Sequence, residues 1–510
     1  MREQDDYVHE EQTPMLQLSD FNHKSIDLTV ERKLLPQVST TDDHKITVRT
    51  GTLWSSVAHI ITAVIGSGVL SLAWSVSKLG WIGGPVALLF FAVVTYVSSS
   101  LLSDCYRSPD PVNGVRNRSF ADAVRVILGN RLFVRFEVLV LLFRGCLASS
   151  GDSGEKQALL CGILQFVNFY GTGVAYVVTT ATCMSAIQRS NCYHNQGHEA
   201  PCEYEGNLYM FLFGVVQIVM SQIPDFHSMM WISIVAAIMS FCYSSIGFGL
   251  GIAKVIENGK IEGGVYGASA VTAPAKLWLT FQAIGDVAFA YPYSLVFLEI
   301  QDTLKSTPPE NKVMRKASLI AILVTTFFYL GCGCFGYAAF GDNTPGNLLT
   351  GFGFYEPYWL IDFANACIIL HLIGGYQLFS QPVYAYAERW VTEKFPDSIL
   401  LKNTDRLKLP LLPDFELNLF RLCFRTSYVV STTGIALVFP YFNEILGLLG
   451  ALNLWPLAIY FPVEMYIVQR KVETWSRKWV VLQIFSSFLM VVSVAALMGS
   501  VAGLIEAKTS

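Results

Sequence analysis

Long apolar runs recur along this chain of 510 residues, and nothing constrains its folding more. A helix needs about 20 mostly apolar residues to cross the hydrocarbon core of a bilayer. Eleven stretches meet that rule: 53–74, 81–103, 158–186, 207–224, 230–252, 277–300, 316–340, 358–387, 417–439, 442–466 and 479–504. The chain reads as an all-α polytopic membrane protein. Composition agrees: 53% of residues are hydrophobic and 15% charged, against about 25% charged in soluble proteins. So little charge excludes disorder for most of the length. A net charge of −4, from 35 Lys+Arg and 39 Asp+Glu, excludes a nucleic-acid binder built on a basic field.

Residues 1–50 are polar and mixed in charge, with no basic segment leading into an apolar core. They predict a disordered cytosolic tail rather than a cleavable signal, ahead of one transmembrane domain over 51–510. Basic residues favour cytosolic loops. With the N-terminus inside, those loops hold Arg107, Arg116, Lys312, Arg315, Arg389, Lys394, Arg470 and Lys478 among others. The outer loops hold chiefly Arg189, Lys254, Lys260 and Lys276. An odd number of spans puts the C-terminus outside.

Eleven cysteines in a chain this long do not make a disulfide scaffold, and most lie inside apolar runs. None has zinc spacing, so no metal site is expected. The loop from Ser190 to Cys202 falls outside, where disulfides persist. A Cys192–Cys202 bridge is favoured there over free thiols. The sequon Asn117-Arg118-Ser119 falls inside and predicts no glycan. Residues 131–157 do not fit a span. Arg135, Glu137 and Arg144 interrupt the apolar run, and each Arg costs about 2.5–3.5 kcal/mol in hydrocarbon. A cytosolic segment lying on the inner surface fits better.

Two spans carry their own interruptions. The first contains Ile65-Gly66-Ser67-Gly68, and paired glycines weaken a helix. The sixth reads Gly285-Asp286-Val287-Ala288-Phe289-Ala290-Tyr291-Pro292-Tyr293. Pro292 has no N–H for the Ala288 carbonyl, which must then face protein, ligand or water. The two breaks are five spans apart and each opens a block of five. Paired broken helices in matching positions mark a transporter built as a 5+5 inverted repeat, here with one extra C-terminal helix. The helix restarting after Gly66 offers free N–H groups and a positive dipole end to an anion. Carbonyls freed near Ala288 suit an ammonium group. Together they complement an α-amino acid zwitterion.

The run Val64-Ile65-Gly66-Ser67-Gly68-Val69-Leu70-Ser71-Leu72-Ala73-Trp74 resembles the first-span signature of plant amino acid permeases. So do Gly285 to Tyr291 with Leu298-Glu299-Ile300-Gln301-Asp302-Thr303, Trp359 to Asn365 continuing to His371-Leu372-Ile373-Gly374, Arg189-Ser190-Asn191-Cys192, and Phe439-Pro440-Tyr441-Phe442-Asn443. The likeness runs from about residue 50 to the C-terminus and is specific. It implies a leucine-transporter-like fold of the amino acid/auxin permease superfamily. It also implies proton-coupled import of amino acids across a plant plasma membrane, with the proton as coupling ion and no cofactor. The likeness breaks at 131–157, an atypical insertion or a gene-model artefact. Many relatives resemble this chain less at Pro292, where a small residue stands.

The substrate contacts expected are Ile65, Gly66, Ser67 and Gly68 on the first span and Ala288, Phe289 and Tyr291 on the sixth. Asn168 and Tyr176 on the third span face the cavity in such a fold. Proton-coupling candidates are Asp286, His59, Asp362, Asn365 and His371. Asp286 competes with a structural cap, and the histidines with satisfied core histidines. Glu299, Asp302 and Lys305 read as a gate or as ion pairs. Trp54, Trp74, Trp81, Trp359, Trp390 and Trp475 read as interfacial anchors. No Walker loop, HExxH or GxSxG appears, so no enzyme is expected. The leading function is proton symport of neutral amino acids, extending to acidic ones, by alternating access. The alternatives are an auxin or lysine/histidine carrier and a non-transporting amino acid receptor; amino acids, protons and lipid are the partners.

Overall fold

The computed structural model describes residues 49–129, 153–197, 200–202, 204–223, 230–269, 272–352, 358–396, 404–407 and 415–509. The expected tail, apart from its last residues, and most of the 131–157 segment lie outside the described residues.

Each of the eleven apolar stretches is helical. The helices are α1 (Leu53–Val64), α2 (Gly68–Ser103), α3 (Phe120–Leu128), α4 (Ser153–Gln196), α5 (Asn207–Ser221), α6 (Met230–Asn258), α7 (Ala273–Ala290) and α8 (Ser294–Asp302). They continue with α9 (Glu310–Phe340), α10 (Leu348–Gly351), α11 (Tyr358–Lys394), α12 (Leu419–Val438), α13 (Phe442–Leu454), α14 (Phe461–Gln469) and α15 (Arg477–Thr509). A π-helical turn, Pro456–Tyr460, joins α13 to α14. Two short antiparallel pairs complete the described chain: Arg107–Ser108 with Val115–Arg116, and Thr404–Leu407 with Phe415–Asn418. Among the described residues, eight helical stretches are long and apolar enough to cross a membrane, and Leu53–Val64 and Asn207–Ser221 are shorter apolar helices.

α2 is two helices in one. Gly80 interrupts it at φ 78°, ψ 178°. A side chain there would meet backbone, since a Cβ would lie 2.3 Å from Val265 O and 2.4 Å from Gly267 N. Gly68–Leu79 thus finishes the first span, and the second starts at Trp81.

Counterparts of the two blocks of five are neighbours in space. α2 packs along α9, α4 along α11, and α5 along α12. These are the second with the seventh span, the third with the eighth, and the fourth with the ninth. Elements beside a two-fold axis can meet their own mates there, an arrangement that fits an inverted repeat. α15, outside the repeat, packs on α7 and α13.

Charge gathers at one end of the bundle. Arg49 and Arg107 both reach Glu310, at 2.9 and 2.6 Å. Arg470 lies 2.6 Å from Asp104, and Arg315 pairs with the same carboxylate. Arg116 meets Asp302 at 3.2 Å, and the Tyr106 hydroxyl donates to Asp302 at 2.5 Å. Burial and the adjacent Asp302 carboxylate push the Tyr106 hydroxyl up, so it keeps its proton and stays a donor. Gly51 and Leu304 form a bridge beside this network. Of the three residues read as a gate or ion pairs, Asp302 sits in the network, Lys305 holds Gly51 O through its backbone N–H, and one Glu299 carboxyl oxygen is buried without a partner. Asn117 is buried here, and its Nδ2 donates to Cys105 O and Ser108 Oγ, leaving no room for a glycan. Cys192 and Cys202 are bridged at the opposite end. Trp54, Trp359, Trp390 and Trp475 are exposed at helix ends.

Candidate substrate site

The two breaks meet. α1 stops at Val64 because Ile65 turns to φ −81°, ψ 78° and the Gly66 N–H closes onto Val64 O at 2.9 Å. α2 restarts with Ser67 as its first cap, and no side chain satisfies its leading N–H groups. Across from it α7 ends at Ala290 and α8 begins at Ser294. A Cβ on Gly68 would lie 3.2 Å from both Cα and Cβ of Ala290 and 3.5 Å from the Phe289 ring. Glycine lets the halves touch.

The carbonyls at the breaks are largely taken, which corrects the expectation of free ones. The Tyr329 hydroxyl lies 2.6 Å from Val64 O and 2.9 Å from Ala290 O, spanning both breaks with one group. The Tyr243 hydroxyl donates toward Ile65 O at 2.8 Å and Gly66 O at 3.2 Å. Ser240 Oγ lies 3.0 Å from Ile65 O. Helix-end carbonyls have no partner in their own helix, and hydrocarbon supplies none. Neighbouring spans therefore provide hydroxyls. Sequence reasoning missed Ser240, Tyr243 and Tyr329. A hydroxyl-bearing tyrosine at mid-span, far from either interface, was the available signal.

What remains unsatisfied points to a ligand. His371 Nδ1 lies 3.0 Å from Ala236 O and 2.9 Å from Ser240 Oγ. A carbonyl only accepts, so that geometry assigns the hydrogen to Nδ1 and leaves Nε2 as an acceptor. Nε2 is buried and unpartnered, as is Ser67 Oγ. Nε2 would be 3.7 Å, and the Tyr176 hydroxyl 3.0 Å, from a Cβ on Gly66. The break is thus surrounded by N–H and hydroxyl donors on one side and an imidazole acceptor on another. Tyr291, also at the break, stacks edge-on against Tyr329 at 4.9 Å and donates to Thr326 Oγ1 at 3.4 Å. Ala288 is fully buried one turn earlier.

Other expected residues lie elsewhere. Asn168 is two turns from Tyr176 along α4, and its Nδ2 donates to Leu449 O at 3.2 Å, tying α4 to α13. Asp286 is fully buried inside α7, with the Ser75 hydroxyl of α2 beside its carboxyl. A Cβ on Gly447 would lie 2.9 Å from its Oδ1, so it faces α13 as well as Ser75 of α2 and does not cap a helix end. His59 is buried on α1, with Nδ1 unpartnered. Asp362 accepts from Asn191 Nδ2 at 3.0 Å, beside the disulfide. Asn365 binds Ile361 O within its own helix. Of the five proton-coupling candidates, only His371 reaches the break. Among the described residues no group of His, Cys, Asp and Glu could hold a metal.

The chain matches the family described as transmembrane amino acid transporter protein over residues 49–506. It is 54% identical to a probable amino acid permease 7 of Arabidopsis thaliana, over 91% of this chain and 95% of that one. It is 51% identical to amino acid permease 3 of the same plant, over 95% and 97%. A lysine histidine transporter-like 6 is 29% identical over 84% and 85%. These relatives are named as permeases and transporters, not enzymes. A solved nucleobase-cation-symport-1 family transporter covers 90% of this chain and 91% of its own at 13% identity and a TM-score of 0.46. The paired broken helices and the match along nearly the whole chain lead to one conclusion: this multi-pass membrane protein belongs to the transmembrane amino acid transporter family.

Proposed function

We propose that the chain imports neutral amino acids, and acidic ones by extension, together with protons across a plasma membrane, by alternating access. One observation carries the reading. The two helix breaks touch at Gly68 and Ala290, and buried unpartnered polar atoms, Ser67 Oγ and His371 Nε2, flank the contact. A substrate carboxylate would sit on the uncapped N-terminus of α2, where N–H groups and the dipole favour an anion. The α-ammonium would face His371 Nε2. Asp286 is the proposed proton seat: a buried carboxyl with the neutral Ser75 hydroxyl beside it and no cation among the described residues. An ionisable group at membrane depth is functional by default. The greater identity to amino acid permeases than to the lysine histidine transporter-like relative supports the permease reading over the carrier alternative.

Two-electrode voltage clamp on oocytes expressing the full chain, with surface expression verified, tests this. A panel of amino acids is applied at acid and neutral pH, with and without sodium. Inward currents that grow at acid pH and ignore sodium are expected. Currents that need sodium and ignore pH would overturn the proton; silence from surface-expressed protein would overturn amino acid symport.

A further inference from the structure

We propose that Glu299, on the inner half of the sixth span, is the carboxyl from which the coupled proton leaves for the cytosolic side, an assignment that rests on the proton symport reading above.

The sixth span carries a carboxyl on each side of its break. Asp286 lies in α7 before the break, and Glu299 lies in α8 after it. A helix rises about 1.5 Å per residue, so the two are too far apart for direct transfer. α8 leads from the break to the charged end of the bundle, which the loop charges make cytosolic. Asp302, one turn beyond Glu299, sits in the ion-pair network there.

Glu299 stays outside that network. It is half-buried, and its Oε2 is shielded from solvent without a hydrogen-bond partner. The Phe120 N–H, first of α3, lies against the carboxyl. The titratable groups around it are Asp122 of α3, Asp302 of its own helix and Cys161 of α4. None of these is a cation. The arginines nearby are engaged: Arg116 lies 3.2 Å from Asp302, and Arg125 and Arg389 lie 3.4 and 3.8 Å from Asp122. The buried carboxylates of this end, Asp104 and Glu310, are each paired with arginine. Among the described residues Glu299 makes no ion pair. An unpaired charge held inside protein is unfavourable, and a proton on Oε2 removes it.

A polar track joins Glu299 to the break. Cys161, Gln165, Asn168, Thr172 and Tyr176 recur at three- and four-residue spacing on one face of α4, and all are buried. Cys161 lies near Glu299. Gln165 Nε2 donates at 3.4 Å to Leu295 O, one turn nearer the break on α8. Asn168 Nδ2 donates to Leu449 O on α13, the helix whose Gly447 abuts Asp286. The Tyr176 hydroxyl approaches Gly66 at the break itself. A proton taken up with substrate at Asp286 passes along this face through water when the inner side opens. It forms an O–H bond at Glu299 Oε2, and that bond breaks when the proton is given up to cytosolic water. The proton gradient supplies the proton, and nothing else is consumed.

Proteoliposomes of the full chain test this with two fluxes in one preparation, using tritiated L-alanine, L-glutamine and L-glutamate in turn. Exchange, with equal pH and the same amino acid on both sides, turns the carrier over without releasing its proton. Net uptake driven by an acid exterior requires release. The ratio of net uptake to exchange should fall at least about tenfold in Glu299→Gln. It should recover in part in Glu299→Asp, which keeps the carboxyl. The ratio cancels differences in protein yield. An unchanged ratio in Glu299→Gln, whether both fluxes persist or both fall, would overturn the exit and leave symport standing on the acid-driven uptake of wild type. Where Glu299→Gln gives no monodisperse protein, Glu299→Asp decides: a wild-type ratio at every internal pH would overturn the exit. Wild-type vesicles that exchange an amino acid but ignore the pH gradient would overturn the proton reading and the exit with it. No exchange of any of the three would overturn amino acid symport.

Discussion

The Tyr329 hydroxyl is the group through which the two halves of the transporter hold each other at the break, and its removal is measurable. Tyr329→Phe keeps the ring, which is fully buried and packed edge-on to Tyr291. Only the oxygen is lost, and with it the contacts to Val64 O and Ala290 O. One hydroxyl carries one hydrogen, so the loss is that of a single shared donor and not of two full hydrogen bonds. A buried group left unsatisfied costs about 1–3 kcal/mol, while hydrogen bonds between membrane helices average about 0.6 and reach about 1.7 kcal/mol. An expected destabilisation of about 1–2 kcal/mol follows from those bounds. The control is Tyr428→Phe. Its hydroxyl is buried but has only the Ser380 hydroxyl beside it and holds no helix-end carbonyl, so deleting it should cost less. Thermal unfolding of both variants in detergent, with substrate KM measured in parallel, checks the argument. Tyr329→Phe should lower the midpoint and raise KM by up to about tenfold, since about 1.4 kcal/mol is a factor of ten. If Tyr329→Phe matched wild type, or Tyr428→Phe fell as far, the reasoning about break carbonyls would be wrong.

Other perturbations have equally definite outcomes. Gly66→Ala puts a methyl 3.0 Å from the Tyr176 hydroxyl; surface expression should persist while substrate current falls, and full current at wild-type KM would remove Gly66 from the site. Asp286→Asn keeps the shape and removes the titrating group, so currents or uptake should lose their acid dependence; an unchanged pH profile would move the proton elsewhere. Glu388→Gln strips the partner from Arg425, which is 2% exposed and held by Glu388 at 2.6 and 3.1 Å. Leaving that charge buried should cost about 3 kcal/mol, read as a lower unfolding midpoint and poor surface expression, with Glu388→Asp retaining part of the stability.

Much of the fold was legible because its causes are local. Apolar runs long enough to span mark the helices, and helix occupies each of them. The pair Gly66 and Gly68, and Pro292 with its missing N–H, act on their own backbone, so both breaks could be placed to within a residue or two. Gly66 and Ser67, read from the sequence as lying at the first break, lie there, and Tyr176 and His371 approach it. Asn168, read as a substrate contact, instead donates to Leu449 O, while Asp286, Asp362 and Asn365 are buried or half-buried polar groups away from the break.

These placements share one physical reason. The sequence by itself determined where helices run, where they stop and which ends carry charge, because hydrophobic length, glycine, proline and lysine or arginine act through solvent and local backbone. Only the tertiary structure decided which way each helix is turned about its axis. A helix apolar on nearly every side has no polar face to set that rotation from sequence. Rotation is what aims Asp286 at Gly447, His371 Nε2 at Gly66, and Tyr329, 265 residues from Val64, onto its carbonyl.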